Sequence, residues 1–455
     1  MKKRFLILIF YAVHLYSNAQ KTTFNIKYSE QLAVFVFLQN LTKNYSQNVF
    51  KVEFLKSKYN IIEFQNEIAT FEKMAIDFSY QFEAYPNGSK MPMQSRDILR
   101  KNLIATNNLN DFKLQSIGIV PNKTLIDLTK IIADFTPIYN ELIYNPNKEQ
   151  FENQLVEIKK YSVDNNIEKY FETGLTFYNS SWDSSIPFEI AFYPLPNSQG
   201  FTAQAFCNNF ISAIQTNLKN YKDLFSVMLH ETFHLIYNEQ SLETKIEIDK
   251  NFKENKAKSS NYAYQILNEA LATSLGNGYV YENLDRKIDD GDWYNQKYIN
   301  QIAKKIYPLV TEYIIQKKSL DKNFMNQYIN IYETNFPNWI NQLDNIMSYK
   351  YVISENPNDF DTIERKFSYT SNSEFEQEIT KSGIEKMQKS SLTKIIVISN
   401  NNNEKLKLIK QSFRELKNWK FNPESEFNYK ILLDDKSQLL IINQKKSGLD
   451  MLLGK

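Results

Sequence analysis

Five consecutive residues, His230-Glu231-Thr232-Phe233-His234, constrain this chain more than any other feature. Histidine occurs only three times in 455 residues, and two of the three stand here. On a helix, residues four apart share a face, so both imidazoles can meet one metal ion. Glu231 then lies beside that ion. The surroundings predict a helix over 221–237. Leu224, Phe225, Met228, Leu229, Phe233, Leu235 and Ile236 make it apolar almost all round, as for a helix buried at the centre of a domain. Two imidazoles and a carboxylate on such a helix are costly unless they are paired. A chance HExxH in a chain so poor in histidine is expected roughly once in a thousand sequences. The opposing reading is two histidines satisfied by hydrogen bonds alone.

A catalytic zinc takes three protein ligands and keeps one position open. No histidine is left to be the third, because His14 lies in the N-terminal leader-like stretch. Cys207 or a carboxylate must serve. Cys207 ends a predicted strand and reads better as a small packing residue. Glu269, in Asn268-Glu269-Ala270-Leu271-Ala272-Thr273, sits in the next apolar helix, predicted over 261–275. A carboxylate among Ile266, Leu267, Ala270 and Leu271 needs a counter-charge, and a metal supplies one. The alternative is a glutamate facing solvent. Glu282 is a weaker rival, since it falls beyond Gly276 and Gly278, read here as helix stops.

With HExxH on one helix and Asn268-Glu269-Ala270 on the next, the chain resembles the gluzincin zinc metallopeptidases of a secreted bacterial family. The resemblance spans 224–278 and rests on five or six residues. It implies one Zn2+ per chain, held by His230, His234 and Glu269. It implies Glu231 as general base, hydrolysing peptide bonds through a zinc-activated water. Two departures stand out. The separation of His234 from Glu269 exceeds that in the thermolysin-like and aminopeptidase branches. Thr273 stands where the thermolysin-like branch has an aspartate that orients the first zinc histidine. An oxyanion partner is usually His, Tyr or Arg. With histidine excluded, Tyr332 is favoured, and Tyr298 and Tyr328 are rivals. The resemblance further implies an edge strand that pairs with an extended peptide, at 188–193 or 201–206. The alternatives are a catalytically inactive zincin-fold binding or scaffold protein, and a zinc hydrolase of a non-peptide amide or ester.

The rest of the chain sets the frame. Its length suits two or three domains, and 42% hydrophobic residues suffice for a core. Ten glycines and twelve prolines are too few for a turn-rich all-β fold. The predicted class is α+β, mostly helical. A helical region at 20–170 would precede a zincin-like domain at 171–350. That domain would hold a small antiparallel or mixed sheet, the HExxH helix and the following ligand helix. A small α/β region would fill 351–455. Strands are predicted at 188–193 (ended by Pro194 and Pro196), 201–206 and 210–215. Further helices are predicted at 125–135, 151–161, 294–317 and 324–332, with Pro137 ending or kinking the first. Residues 145–147 read as a turn, and the polar stretch 239–260 as a loop or an exposed helix. In the last region, a β-branched run at 394–399 leads to a helix at 404–419, and a hairpin joins 429–433 to 439–442.

Lys2, Lys3 and Arg4, an apolar run over 5–16 and Ser17-Asn18-Ala19 read as a cleavable signal peptide at 1–19. Export, periplasmic or secreted, is the expectation. No later stretch has the apolar length of a membrane span. The 54 basic and 52 acidic residues nearly cancel, which is no footprint for nucleic acid. The single cysteine forms no intramolecular disulfide. There is no glycine-rich phosphate loop, no nucleophile-elbow serine and no CxxC. A peptide or protein substrate is the expected partner.

Overall fold

The computed structural model describes residues 22–86, 89–196 and 200–454. The expected signal peptide lies outside them. The fold is mixed α/β and mostly helical. Among the described residues, no helix is long and apolar enough to cross a membrane.

Two sheets organise the chain. The first has four strands: β1 (Phe24–Tyr28), β2 (Phe188–Leu195), β3 (Gln204–Phe206) and β4 (Asn209–Gln215), in the order β1-β2-β4-β3. β1, β2 and β4 run parallel, and β3 is an antiparallel edge. Strand β2 is buried on both faces, which explains its nearly continuous apolar sequence. Ile190 and Phe192 point to one side, Ala191 and Tyr193 to the other. The first side packs on the central helix (Tyr221–Asn238) through Leu224, Phe225, Met228 and Phe233. The second packs on N-terminal helices through Leu32, Phe35, Leu99 and Phe135.

Several elements differ from expectation. β1 pairs with a strand some 160 residues later, so no local pattern announces it. β2 runs through Pro194 instead of ending there. β1 stops opposite Phe192, so one side of β2 is unpaired at Pro194, where a missing N–H is tolerated. Residues 201–203 stay outside β3, with Phe201 making a single bridge to Ile214. No turn forms at 145–147. The helix Asn122–Tyr139, with Pro137 inside it, passes through a stretch of i→i+5 bonding (Asn140–Tyr144) into the helix Asn145–Asp164. The polar stretch after the central helix takes the helical form, as Leu242–Glu254.

The second sheet has five strands: β5 (Tyr349–Ser354), β6 (Asn372–Glu376), β7 (Thr393–Ile398), β8 (Phe427–Leu432) and β9 (Gln438–Asn443), ordered β8-β9-β7-β5-β6. β9, β7, β5 and β6 are parallel, and β8 joins β9 as the expected hairpin. The expected helix at 404–419 is shorter, Asn402–Ser412.

Candidate metal centre

The central helix begins at a real cap, where Asn220 accepts from the Asp223 amide, and it carries His230, Glu231 and His234. The segment that meets it comprises two short helices, Ser260–Gln265 and Leu267–Thr273. Glu269 lies on the second. The chain does not stop at Gly276 and Gly278. It continues as a wide-turned stretch with i→i+5 bonding (Ser274–Val280) into the helix Tyr281–Asp285. Gly276 is there for packing. A Cβ on it would lie 2.6 Å from His230 Cβ and 2.8 Å from the His230 amide nitrogen. The Ser226 hydroxyl donates to the Gly276 carbonyl at 2.9 Å and clamps the same crossing.

This crossing brings His230, His234 and Glu269 together. The two Nε2 atoms are 3.1 Å apart, and Glu269 Oε2 lies 3.4 Å from His234 Nε2 and 3.8 Å from His230 Nε2. Ligands about 2.0–2.1 Å from a tetrahedral zinc are separated by about 3.3 Å. The three separations bracket that value, so the donor set fits one such ion. Side-chain exposures of 7%, 16% and 22% for His230, His234 and Glu269 leave the cluster largely but not wholly enclosed. His234 Nδ1 is 3.1 Å from Asn268 Oδ1, a bond that leaves Nε2 for a metal. His230 Nδ1 faces the Ala272 carbonyl and Asn277. Neither gives it a well-formed hydrogen bond, and Glu269 Oε2 also lacks one although both atoms are buried.

The electrostatics follow from burial and proximity. Burial pushes His230 down to about 3, helped by the charge of His234. Burial would lower His234 too, but the charge and hydrogen bond of Glu269 outweigh it and hold it up at about 9. Burial would raise Glu269, yet His234 holds it down at about 2. Glu231 is partly buried, and burial raises it above the ordinary carboxyl value.

The three tyrosines singled out from the sequence are engaged elsewhere. The Tyr332 hydroxyl accepts from Asn345 at 3.1 Å, Tyr298 donates to Gln342 at 2.6 Å, and Tyr328 donates to the Ala263 carbonyl at 2.8 Å. All three are core residues. The phenol at the cluster is Tyr294, whose ring stacks on His230 at 5.9 Å and 27°. The charges of Glu269 and Glu231 both act on its hydroxyl. Burial and then the Glu269 charge push its pKa well above the ordinary value. Tyr369, from the loop before β6, is pushed up as well, by burial and then by the Glu269 charge. The expected helix at 294–317 begins only at Lys297, capped by Gln296, and this leaves Tyr294 in the preceding loop. Glutamine is a weak cap signal, and nothing local marks Tyr369.

The two rival ligands lie apart from the cluster. Cys207 occupies the turn between β3 and β4 at φ 52°, where burial pushes its thiol up to about 11. Glu282 accepts a hydrogen bond from Tyr307. In comparisons with known proteins, no family model, no curated protein and no solved structure matches this chain.

Proposed function

We propose that this chain is an exported zinc-dependent metallopeptidase of the gluzincin type. The observation that supports it most is the spacing of three ligand atoms near the edges of a zinc tetrahedron, with one histidine already turned by Asn268. When bound, zinc would supply Lewis-acid polarisation of a scissile carbonyl and a water of lowered pKa. His230, His234 and Glu269 would hold it. Glu231 is placed one residue from the first ligand, and its raised affinity for protons suits a base that takes a proton from water and returns it to the leaving amine. Tyr294, whose ring stacks on His230, would be the donor to an oxygen that gains charge. Of the two strands considered for peptide pairing, β2 has neighbours on both sides, whereas β3 is an edge lying against the central helix. β3 is therefore the strand that would pair with an extended substrate.

The test is zinc per chain by elemental analysis of the purified protein. The expected result is about one ion in the parent, as a single catalytic site requires, and almost none in Glu269→Ala. Glu231→Gln should keep the zinc and lose peptide hydrolysis. A folded parent that takes up no zinc on incubation with the metal would overturn the reading.

A further inference from the structure

The central helix is open along one stripe. From Val227 to Asn238 its half-buried residues are Val227, Glu231, His234 and Asn238, and the residues between them are buried. That spacing puts the four on a single face. The stripe carries the base and one metal ligand of the reading above, so it is the floor along which a substrate would lie. Asn238 ends the helix one turn past His234, and a separate hairpin is fastened there. Its strands, Ser79–Tyr80 and Met93–Gln94, pair antiparallel. The Met91 amide donates to Asn238 Oδ1 at 2.6 Å. The Lys90 ammonium donates to the Asn238 carbonyl at 3.2 Å and pairs with Glu239 at 3.1 Å. A cation suits this end of a helix, whose last carbonyls have no partner within it.

The base of the hairpin is held by the helix Ser95–Ala105. Ser95 Oγ donates to the Ile76 carbonyl at 2.6 Å and accepts from the Phe78 amide at 2.7 Å. Five residues on, Arg100 donates to Gln204 of β3 at 3.0 Å. One helix thus sets the hairpin beside the edge strand, and β3 itself lies against the central helix. Tyr80 and Met93 pair across the hairpin and share one face. The Tyr80 ring meets Phe82 edge to face at 5.3 Å, and the Phe82 ring lies 5.0 Å from the Lys90 ammonium. The apolar side of the hairpin therefore runs down to the end of the central helix. Its outer members are bare, with Tyr80 59%, Met91 61% and Met93 46% exposed. Apolar surface gathered and firmly held at the end of a cleft marks a place for an apolar partner.

We propose that this hairpin is a specificity element, in which Met91 and Met93, with Tyr80, receive a large apolar side chain of an extended peptide lying along the open stripe. This rests on the metallopeptidase reading above. Asn238 follows His234 by about 6 Å along the helix. An extended peptide advances about 3.3 Å per residue, so the hairpin meets a side chain about two residues from the bond held at the metal. Methionine side chains are unbranched and polarisable, so they adapt to leucine, methionine or phenylalanine alike.

The experiment gives the zinc-loaded full-length protein a defined set of synthetic peptides of varied sequence and reads the cleaved bonds by mass spectrometry. The parent should enrich leucine, methionine or phenylalanine about two residues from the cleaved bond. It should favour such a peptide over its alanine counterpart about tenfold in kcat/KM, the effect of burying part of one large apolar side chain. Met91→Gln combined with Met93→Gln should lose that preference, and the corresponding pair of leucine substitutions should keep it. Both residues are exposed, so zinc content and thermal unfolding should match the parent. A second readout needs no turnover. In zinc-loaded Glu231→Gln, the Met91 and Met93 methyl signals in NMR should shift on adding the best-cleaved peptide and stay still with its alanine counterpart. Cleavage without an apolar preference, a preference that survives the glutamine pair, or methyl signals that do not move would overturn the proposal and leave the metallopeptidase reading intact. A parent that takes up no zinc, or cuts no peptide of the set, would overturn both.

Discussion

The C-terminal sheet and the helix crossing at Glu269 both bury charge, and they handle it in opposite ways. In the C-terminal sheet, Lys394 is fully buried and its ammonium uses all three donors, on the Ser390 carbonyl at 2.6 Å, Ser437 Oγ at 2.7 Å and Asp435 at 2.9 Å. Lys350 is treated in the same manner, with Met347, Thr370 and Glu364 around it. Burial pulls both lysines down from their ordinary pKa, and their partners offset part of that. The chain closes these sites by itself. At the crossing of the central helix with the Glu269 helix, the buried Glu269 Oε2 has no well-formed hydrogen bond, with only His234 Nε2 at 3.4 Å and His230 Nε2 at 3.8 Å beside it. Each such buried atom costs about 1–3 kcal/mol. Three donors converge there with nothing from the chain between them. Lys394 and Lys350 are surrounded by the chain's own oxygens, whereas the three donor groups of the cluster face one another.

That contrast gives four further tests, from largest effect to smallest. Lys394→Ala should destabilise by about 2–5 kcal/mol, because a buried stem and its bonds are lost together, without altering zinc uptake. Lys394→Met refills the space and should recover most of the loss, since an apolar side chain of similar volume can replace a buried charge. Chemical denaturation reads both, and a Lys394→Ala protein as stable as the parent would erase the distinction between the two sites.

Gly276→Ala should cost about 1–3 kcal/mol through overpacking and should weaken zinc binding as well. Elsewhere in a helix this change is stabilising by about 0.5–1 kcal/mol. The sign reverses here because the added Cβ meets His230 backbone atoms, which cannot rotate aside. A stabilised variant would show that the crossing is looser than drawn.

Asn268→Ala should lower zinc affinity about 10–100-fold, the usual effect of removing the group that orients a ligating histidine. Competition with a chelating dye measures it, and unchanged affinity would mean that the bond to His234 Nδ1 is incidental.

The smallest effect is protonic. His234, held up at about 9, carries a proton at pH 7 in the metal-free protein, while His230, pushed down to about 3, does not. Glu269, at about 2, is already ionised. Ligation needs neutral imidazole, so zinc uptake at pH 7 should release about one proton, and that release should fade as the pH rises through 9. Calorimetry in buffers of different ionisation heat counts the protons. Uptake with none released at pH 7 would contradict the His234–Glu269 coupling.

Much of the centre was legible in the residues themselves. The HExxH helix and the Glu269 helix announce themselves through apolar spacing and through the scarcity of histidine. Helical periodicity is set by bonds that span four residues, so a short window contains it. The same rule misread Gly276 and Gly278, because a glycine that ends a helix and one that admits a neighbouring helix look alike in sequence. It overlooked β1, whose partner β2 is remote, and two strands of the second sheet, β5 and β6. It chose Tyr332, Tyr298 and Tyr328 over Tyr294 on distance along the chain, whereas three-dimensional packing turned those three into core residues. Sequence alone determined which side chains can ligate a metal and which one can act as base. Tertiary structure decided how closely the two helices approach and which tyrosine stands beside His230. Those contacts join segments about 35 to 65 residues apart, and only the packing of whole elements brings such segments together.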